Sequence, residues 1–265
     1  MATKLSKARQ RLSFVLRNTG AAFTIADVAD VLDLESVEAS KILARWAQQG
    51  WVIRLRQGLY AAVPLKSPGG EIVLENPWLV IPILFNQAYI GGWSAAEHWG
   101  LTEQIFSSVC VITSDKIRRK NQSIGGIRFV LTSMREDRHF GLRFEWVGNQ
   151  RIAISDPEKT VIDIFYKPAL GGGIQHATEC LRNLFMNRGG ETDKLIEYAQ
   201  RFESGAANKR LGLIAEALGL DQLARFSMSH KSAGNVQLDP KNPGEKLVTR
   251  WGVWVPKHWD RRIRE

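Results

Sequence analysis

The chain has 265 residues, 44% of them hydrophobic and 24% charged, and a net charge of +9. Those values are ordinary for a globular protein of one or two domains. No apolar run approaches the roughly 18 residues of a membrane span, and the basic residues 1–11 have no apolar stretch behind them, so they do not read as a secretory signal.

Residues 6–18 open with Ser6 as a helix cap, and Leu5, Ala8, Leu12, Val15 and Leu16 recur at helical spacing until Gly20. A second helix follows Thr24, with Asp27 three residues on as a capping box and Ile25, Val28, Ala29 and Leu32 as its apolar face. After the turn Asp33-Leu34-Glu35, Ser36 caps a third helix that runs to Gln49 and stops at Gly50. Ala39, Ile42 or Leu43, Trp46 and Ala47 form its buried side, leaving Ser40, Lys41, Ala44, Arg45 and Gln48 outward. Val52, Ile53, Leu55, Leu59 and Tyr60 then build a hairpin whose polar complement is Arg54, Arg56 and Gln57, with Gly58 at the turn. Three helices and a basic hairpin describe a winged helix-turn-helix. Its third helix would enter the major groove with Ser40, Lys41 and Arg45. Ser36 and the helix N-terminus would hold a phosphate, and Arg54, Arg56 and Gln57 on the wing would touch the DNA backbone.

Charge distribution agrees with a polyanionic partner. Residues 1–63 carry nine Lys/Arg against five Asp/Glu, the last 21 residues carry six against three, and Lys116, Arg118, Arg119 and Lys120 form a third cluster. Arg118, Arg119, Lys120, Lys257, Arg261 and Arg262 are therefore candidates for secondary DNA contact, on charge alone.

The segment 64–75, rich in Pro and Gly at its start, reads as a linker between a domain at 1–63 and a larger one at 76–265. The larger domain begins with a helix over Trp78 to Phe85 that Pro82 should bend or shorten. Ser94, with Glu97 three residues later, predicts a capping box on a very short helix closed by Gly100. Strands are expected at 108–113, 127–132, 144–147 and 151–155, as a small and mainly antiparallel sheet. Ser155 or Asp156 caps a helix with Pro157 in its first turn, and helices follow at 174–186, 191–202 and 206–218. Leu247-Val248 and residues 251–255 close the chain with short strands. The fold class is α+β.

Chemistry is harder to find. The five histidines form no HExxH or other ligand spacing, and Gly171-Gly172-Gly173 lacks the Gly-Lys-Ser/Thr ending of a phosphate loop. Cys110 and Cys180, with no partner histidine or second cysteine nearby, read as buried thiols in a reducing compartment. No catalytic residue, metal or cofactor is expected. Two alternatives stay open: a winged helix that only holds a protein partner, and a metal-dependent nucleic-acid-processing enzyme using Glu97, His98, Asp156, Glu158 and Asp163.

In order along the chain, several motifs resemble one family. Arg56-Gln57-Gly58-Leu59-Tyr60 ends the first module, and Tyr89-Ile90 leads to Ser94-Ala95-Ala96-Glu97-His98-Trp99-Gly100-Leu101. Asp156-Pro157-Glu158-Lys159-Thr160-Val161-Ile162-Asp163 and Lys209-Arg210-Leu211-Gly212 follow. Over residues 5–220 the chain resembles the antitoxins of AbiE-type (type IV) bacterial toxin–antitoxin systems. Trp99, between His98 and Gly100, and Thr160-Val161, in place of a small residue and leucine, depart from the family pattern. The resemblance implies a cytoplasmic bacterial antitoxin of phage defence that represses transcription of its own gene. It would bind inverted repeats in its promoter through the N-terminal domain and counteract a nucleotidyltransferase-like toxin through the larger one. With no evident dimer seam in the sequence, such a protein would be a monomer that pairs on double-stranded DNA.

Overall fold

A computed structural model of the chain describes residues 6–20, 22–63, 76–124, 126–147, 150–187, 189–257 and 259. The architecture is mixed α+β, with an N-terminal helical region and a larger part that combines helices and sheets. Its contacts group into two compact units. One comprises residues 1–86, 118–130 and 144–152; the other comprises 87–117, 131–143 and 153–265. The segment 64–75 expected as a linker lies outside the described residues.

In the N-terminal region, α1 (Lys7–Thr19) is capped by Ser6, whose hydroxyl accepts from the Arg9 N–H, and ends at Gly20 with φ of 86°. Strand β1 (Ala22–Thr24) leads into α2 (Ile25–Leu32). The capping box is reciprocal: the Thr24 N–H donates to Asp27 Oδ2 at 2.7 Å and the Asp27 N–H to Thr24 Oγ1 at 3.1 Å. Asp33, in the left-handed region at φ 52°, stops α2. Helix α3 (Ser36–Gln48) follows, then β2 (Val52–Arg56) and β3 (Leu59–Ala62). Ser36 does not cap α3. The cap position falls to Glu35, whose side chain makes no capping bond, and Ser36 is the first helical residue. Beyond the expected hairpin, β1 adds to β3, with Phe23 opposite Tyr60, to give an antiparallel sheet in the order β1-β3-β2. Val15, Phe23, Val28, Ala39, Leu43, Trp46, Val52 and Tyr60 close one core under these elements.

Pro82 breaks the helix expected over residues 78–85. A proline nitrogen has no hydrogen to return to the Trp78 carbonyl. Ile81 donates to that carbonyl instead, so a 3₁₀ turn (Pro77–Val80) precedes a short α4 (Ile81–Leu84).

A six-stranded sheet contains β4 (Ala88–Ile90), β5 (Ser108–Thr113), β6 (Asn121–Ile124), β7 (Ile127–Ser133), β8 (Leu142–Val147) and β9 (Gln150–Ser155) in the order β6-β7-β5-β4-β9-β8. It is mixed rather than simply antiparallel, because β4 runs parallel to β9 with Ile90 opposite Ile154. Helix α5 (Gly92–His98) starts three residues earlier than its sequence suggests. Its cap is Gly91, and Ser94 lies inside the helix, where its hydroxyl accepts from the Cys110 N–H at 2.9 Å. Close approach sets that start, since a Cβ on Gly92 would overlap the Leu170 carbonyl.

Helices α6 (Pro157–Tyr166), α7 (Ile174–Asn187), α8 (Thr192–Phe202) and α9 (Gly205–Ala217) follow near their expected places, and α10 (Asp221–Ser229) adds a fifth. A three-stranded sheet closes the chain with β10 (Val236–Gln237), β11 (Lys246–Val248) and β12 (Val253–Val255), in the order β10-β12-β11. Among the described residues no helix is long and apolar enough to cross a membrane.

Candidate nucleic-acid interface

Helix α3 buries Ala39, Leu43 and Trp46 completely, and this fixes the face it turns outward. Lys41, Ala44, Arg45 and Gln48 are exposed, while Ser40 is half-buried. Val37, which the sequence reading passed over, is 66% exposed. Val37, Lys41, Ala44 and Gln48 are spaced by four, three and four residues and so form one stripe along the helix. An outward valine has nothing to gain from water. It has the right chemistry for a thymine methyl group, with Lys41 beside it as a donor.

Arg45 belongs to a different constellation. Together with Lys7, Ala8 and Arg11 of α1 and with Ile42 and Trp46, it lines a cleft of about 270 Å³. Lys7 and Arg11 lie one turn apart on α1, so three cations share one concavity with an apolar floor. Their meeting with Arg45 is tertiary, and the helical period of α1 alone did not reveal it. Three cations around a cleft suit a phosphate, which Arg binds through paired N–H donors. At the other end of α3, Glu35 and Glu38 flank Ser36, all three exposed. That terminus carries two carboxylates beside the backbone N–H groups expected to receive an anion.

The hairpin turn is tight, with Gln57 and Gly58 at its tip and Gly58 at φ 78°. The register shifts between Arg54 and Arg56. Arg54 Nε donates to the Arg56 carbonyl at 3.3 Å, and Arg56 donates to the Ile83 carbonyl at 3.1 Å. Both arginines are exposed but tethered at their guanidinium ends, and Gln57 is exposed at the tip.

Of the distal cations, Arg118, Arg119 and Lys120 are exposed in the segment that enters β6. Lys257 forms an exposed ion pair with Glu245 at 3.3 Å. Arg261 and Arg262 lie outside the described residues.

The charged motifs of the larger part engage one another and the backbone around them. Asp156 caps α6 by accepting from the Lys159 N–H at 2.9 Å. Lys194 of α8 bridges Asp156 at 3.0 Å and Glu158 at 2.7 Å, and the Tyr198 hydroxyl donates to Asp156 at 2.9 Å. One turn on, Lys159 and Asp163 form a fully buried ion pair. Tyr89 completes it: its hydroxyl donates to Asp163 at 3.0 Å and accepts from Lys159 at 3.1 Å. Burial pushes the Asp163 carboxyl up and the Lys159 ammonium down, and each partner's charge pulls the other back. The His139 ring stands edge-on to Tyr89 at 5.1 Å, and its Nε2 is buried without a hydrogen-bond partner among the described residues. Burial, and after it the charge of Lys159, holds His139 below its ordinary value.

Lys209 and Arg210 are buried as well. Lys209 donates to the carbonyls of Ala233 and Gly234, and Arg210 to those of Phe165, Tyr166 and Gln237. Arg210 thereby satisfies carbonyls at the end of α6. A Cβ on Gly212 would overlap the Trp251 ring. Glu97 is exposed and His98 stands edge-on to Trp99. Among the described residues no group of three His, Cys, Asp or Glu side chains is placed to hold a metal ion. Cys110 and Cys180 are free and buried. Cys180 does have a histidine beside it, contrary to the sequence reading: His176, one turn back on α7, brings Nδ1 to 3.7 Å from the sulfur. Burial pushes both thiols up.

No protein-family model matches the chain. No curated protein matches it either. Among solved structures the chain is similar to the crystal structure of the RV2827C protein from Mycobacterium tuberculosis, with 14% sequence identity and a TM-score of 0.62 over 94% of this chain and 92% of that one. At that identity the likeness is one of fold.

Proposed function

We propose that the chain is a winged-helix DNA-binding repressor of its own promoter and the antitoxin partner of a nucleotidyltransferase-like toxin in the bacterial cytoplasm. The observation that carries the DNA-binding reading is the outward surface of α3: an unburied Val37–Lys41–Ala44–Gln48 stripe beside the cleft of Lys7, Arg11 and Arg45. In this reading Lys41, Ser40 and Val37 meet base edges. The three-cation cleft takes a backbone phosphate, and Arg54, Arg56 and Gln57 of the wing follow the neighbouring strand. Ser36 stands at the margin of the stripe, with Arg118, Arg119 and Lys120 as a distal electrostatic contribution. The chain is a monomer in dilute solution, and two copies meet on an inverted repeat.

The antitoxin half of the proposal rests on the ordered motifs of the larger domain and on their resemblance to AbiE-type antitoxins. The same reading assigns no catalysis to Asp156, Glu158 and Asp163, whose charges are engaged by Lys194 and Lys159. Co-expression tests it: the chain should restore growth to cells making a nucleotidyltransferase-like protein encoded beside it. Persistent toxicity with the folded chain present would refute the antitoxin role. Mobility shift on the chain's own upstream DNA tests the other half, where binding no tighter than to scrambled DNA would refute the repressor role.

A further inference from the structure

The six-stranded sheet ends on β8, and among the described residues no strand pairs with its outer side. The strand reads Leu142-Arg143-Phe144-Glu145-Trp146-Val147. Its alternation puts Leu142, Phe144 and Trp146 on one face and Arg143, Glu145 and Val147 on the other. The aromatic face is open, with Phe144 50% and Trp146 71% exposed. Arg151 of β9 lays its guanidinium over the Phe144 ring at 3.8 Å. An edge of this kind is a template for another strand.

The sequence of β8 indicates which strand. A two-fold axis perpendicular to the sheet keeps each face continuous, so an antiparallel self-pairing must be centred on a residue. Centred on Arg143 or on Glu145, it sets like charges face to face. Centred on Phe144, it sets Phe144 against Phe144 of the second copy, Arg143 against Glu145 in both directions, and Leu142 against Trp146. Every opposed pair is then matched in polarity or opposite in charge. We propose that β8 is a self-pairing edge through which two copies of the chain join antiparallel into one continuous sheet, with Phe144 on the two-fold axis.

Six residues of strand bury far less than the roughly 1,000 Å² of a durable interface. The pair is therefore weak in dilute solution and gains when two copies are held side by side. It stands on the edge strand alone and does not depend on DNA binding.

Disulfide trapping of the full chain, without DNA, tests it. The buried Cys110 and Cys180 leave the wild type as a silent control. Under mild oxidation at high protein concentration, Phe144→Cys should form a covalent dimer, because cross-strand partners approach within disulfide reach. Trp146→Cys, which faces Leu142, should form none. Adding Arg143→Glu to Phe144→Cys should slow trapping about tenfold by setting Glu against Glu on both sides of the axis, and adding Glu145→Arg as well should restore it. No dimer from Phe144→Cys, equal trapping of Trp146→Cys, or trapping indifferent to the charge swap would overturn the proposal.

Discussion

At the scale of single residues, the structure sorts the cations that the sequence presented as one group. Lys41 stands on the exposed stripe of α3, whereas Arg45 shares a cleft with Lys7 and Arg11. The two should behave differently on DNA. Lys41→Ala is expected to weaken operator binding more than binding to random DNA, by about 1–3 kcal/mol if it donates to a base. Arg11→Ala and Arg45→Ala should weaken both alike and each lower the salt slope of binding by about one unit. Titrations on operator and scrambled duplexes at several salt concentrations separate the two patterns. A second residue-scale prediction concerns the buried pair. Asp163→Asn leaves Lys159 without its counter-charge in a sealed site and should cost about 3–5 kcal/mol, read from urea unfolding. Lys159→Met combined with Asp163→Leu should recover much of that loss; an unchanged midpoint for Asp163→Asn would show the pair to be unimportant. His139 adds a pH dependence. Its folded value lies below the ordinary 6.5 of the unfolded chain, so the unfolded state takes up the proton first as pH falls. The contribution of His139 to stability is whole above about pH 6.5 and is lost as pH drops below it. Urea midpoints of the wild type should thus fall more between pH 7.5 and 5.5 than those of His139→Gln.

At the scale of elements, local signals were legible, the β2–β3 hairpin among them, and longer-range pairings were not. Ser6, Thr24 with Asp27, and Asp156 with Pro157 announce helix starts because a cap is a bond within four residues. Thr24→Ala, which removes one side of the box, should cost about 1 kcal/mol in thermal or urea unfolding. Strands β1 and β6 had no such signal. Ala-Phe-Thr is three residues long and is a strand only because β3 pairs with it, and Asn-Gln-Ser-Ile is polar enough to pass for a loop. Ser94 shows how a sound local rule fails. Its capping box with Glu97 reads well, yet the helix starts at Gly92, where packing against Leu170 admits no side chain. The parallel pairing of β4 with β9 joins residues 64 positions apart, a distance no local pattern spans. The candidate site was legible to the same extent. The outward face of α3 follows from its period, but Lys7 and Arg11 enter only when α1 is packed against it. The basic hairpin was legible as charge, while its tether to the Ile83 carbonyl was not.

At the scale of the whole molecule, the proposed function divides labour between two regions. In the proposed function the N-terminal elements would carry DNA binding, and the ordered motifs of the larger part build its frame. Lys209, Arg210 and Gly212 hold carbonyls and leave room for Trp251, and the Lys159–Asp163 pair locks α6 beneath Tyr89. Changing the exposed face of α3 should therefore abolish repression and leave rescue from the toxin intact. A reporter driven by the chain's own promoter, scored beside growth rescue, measures both. In the proposed function α3 reads an inverted repeat upstream of the chain's own gene. Nuclease footprinting of the purified full chain on that upstream DNA decides whether it does. Two protected half-sites related by a two-fold axis are expected, with protection lost in Lys41→Ala at protein concentrations where the wild type is saturated. Absence of a footprint for the wild type, or an unchanged one for Lys41→Ala together with Arg45→Ala, would contradict it.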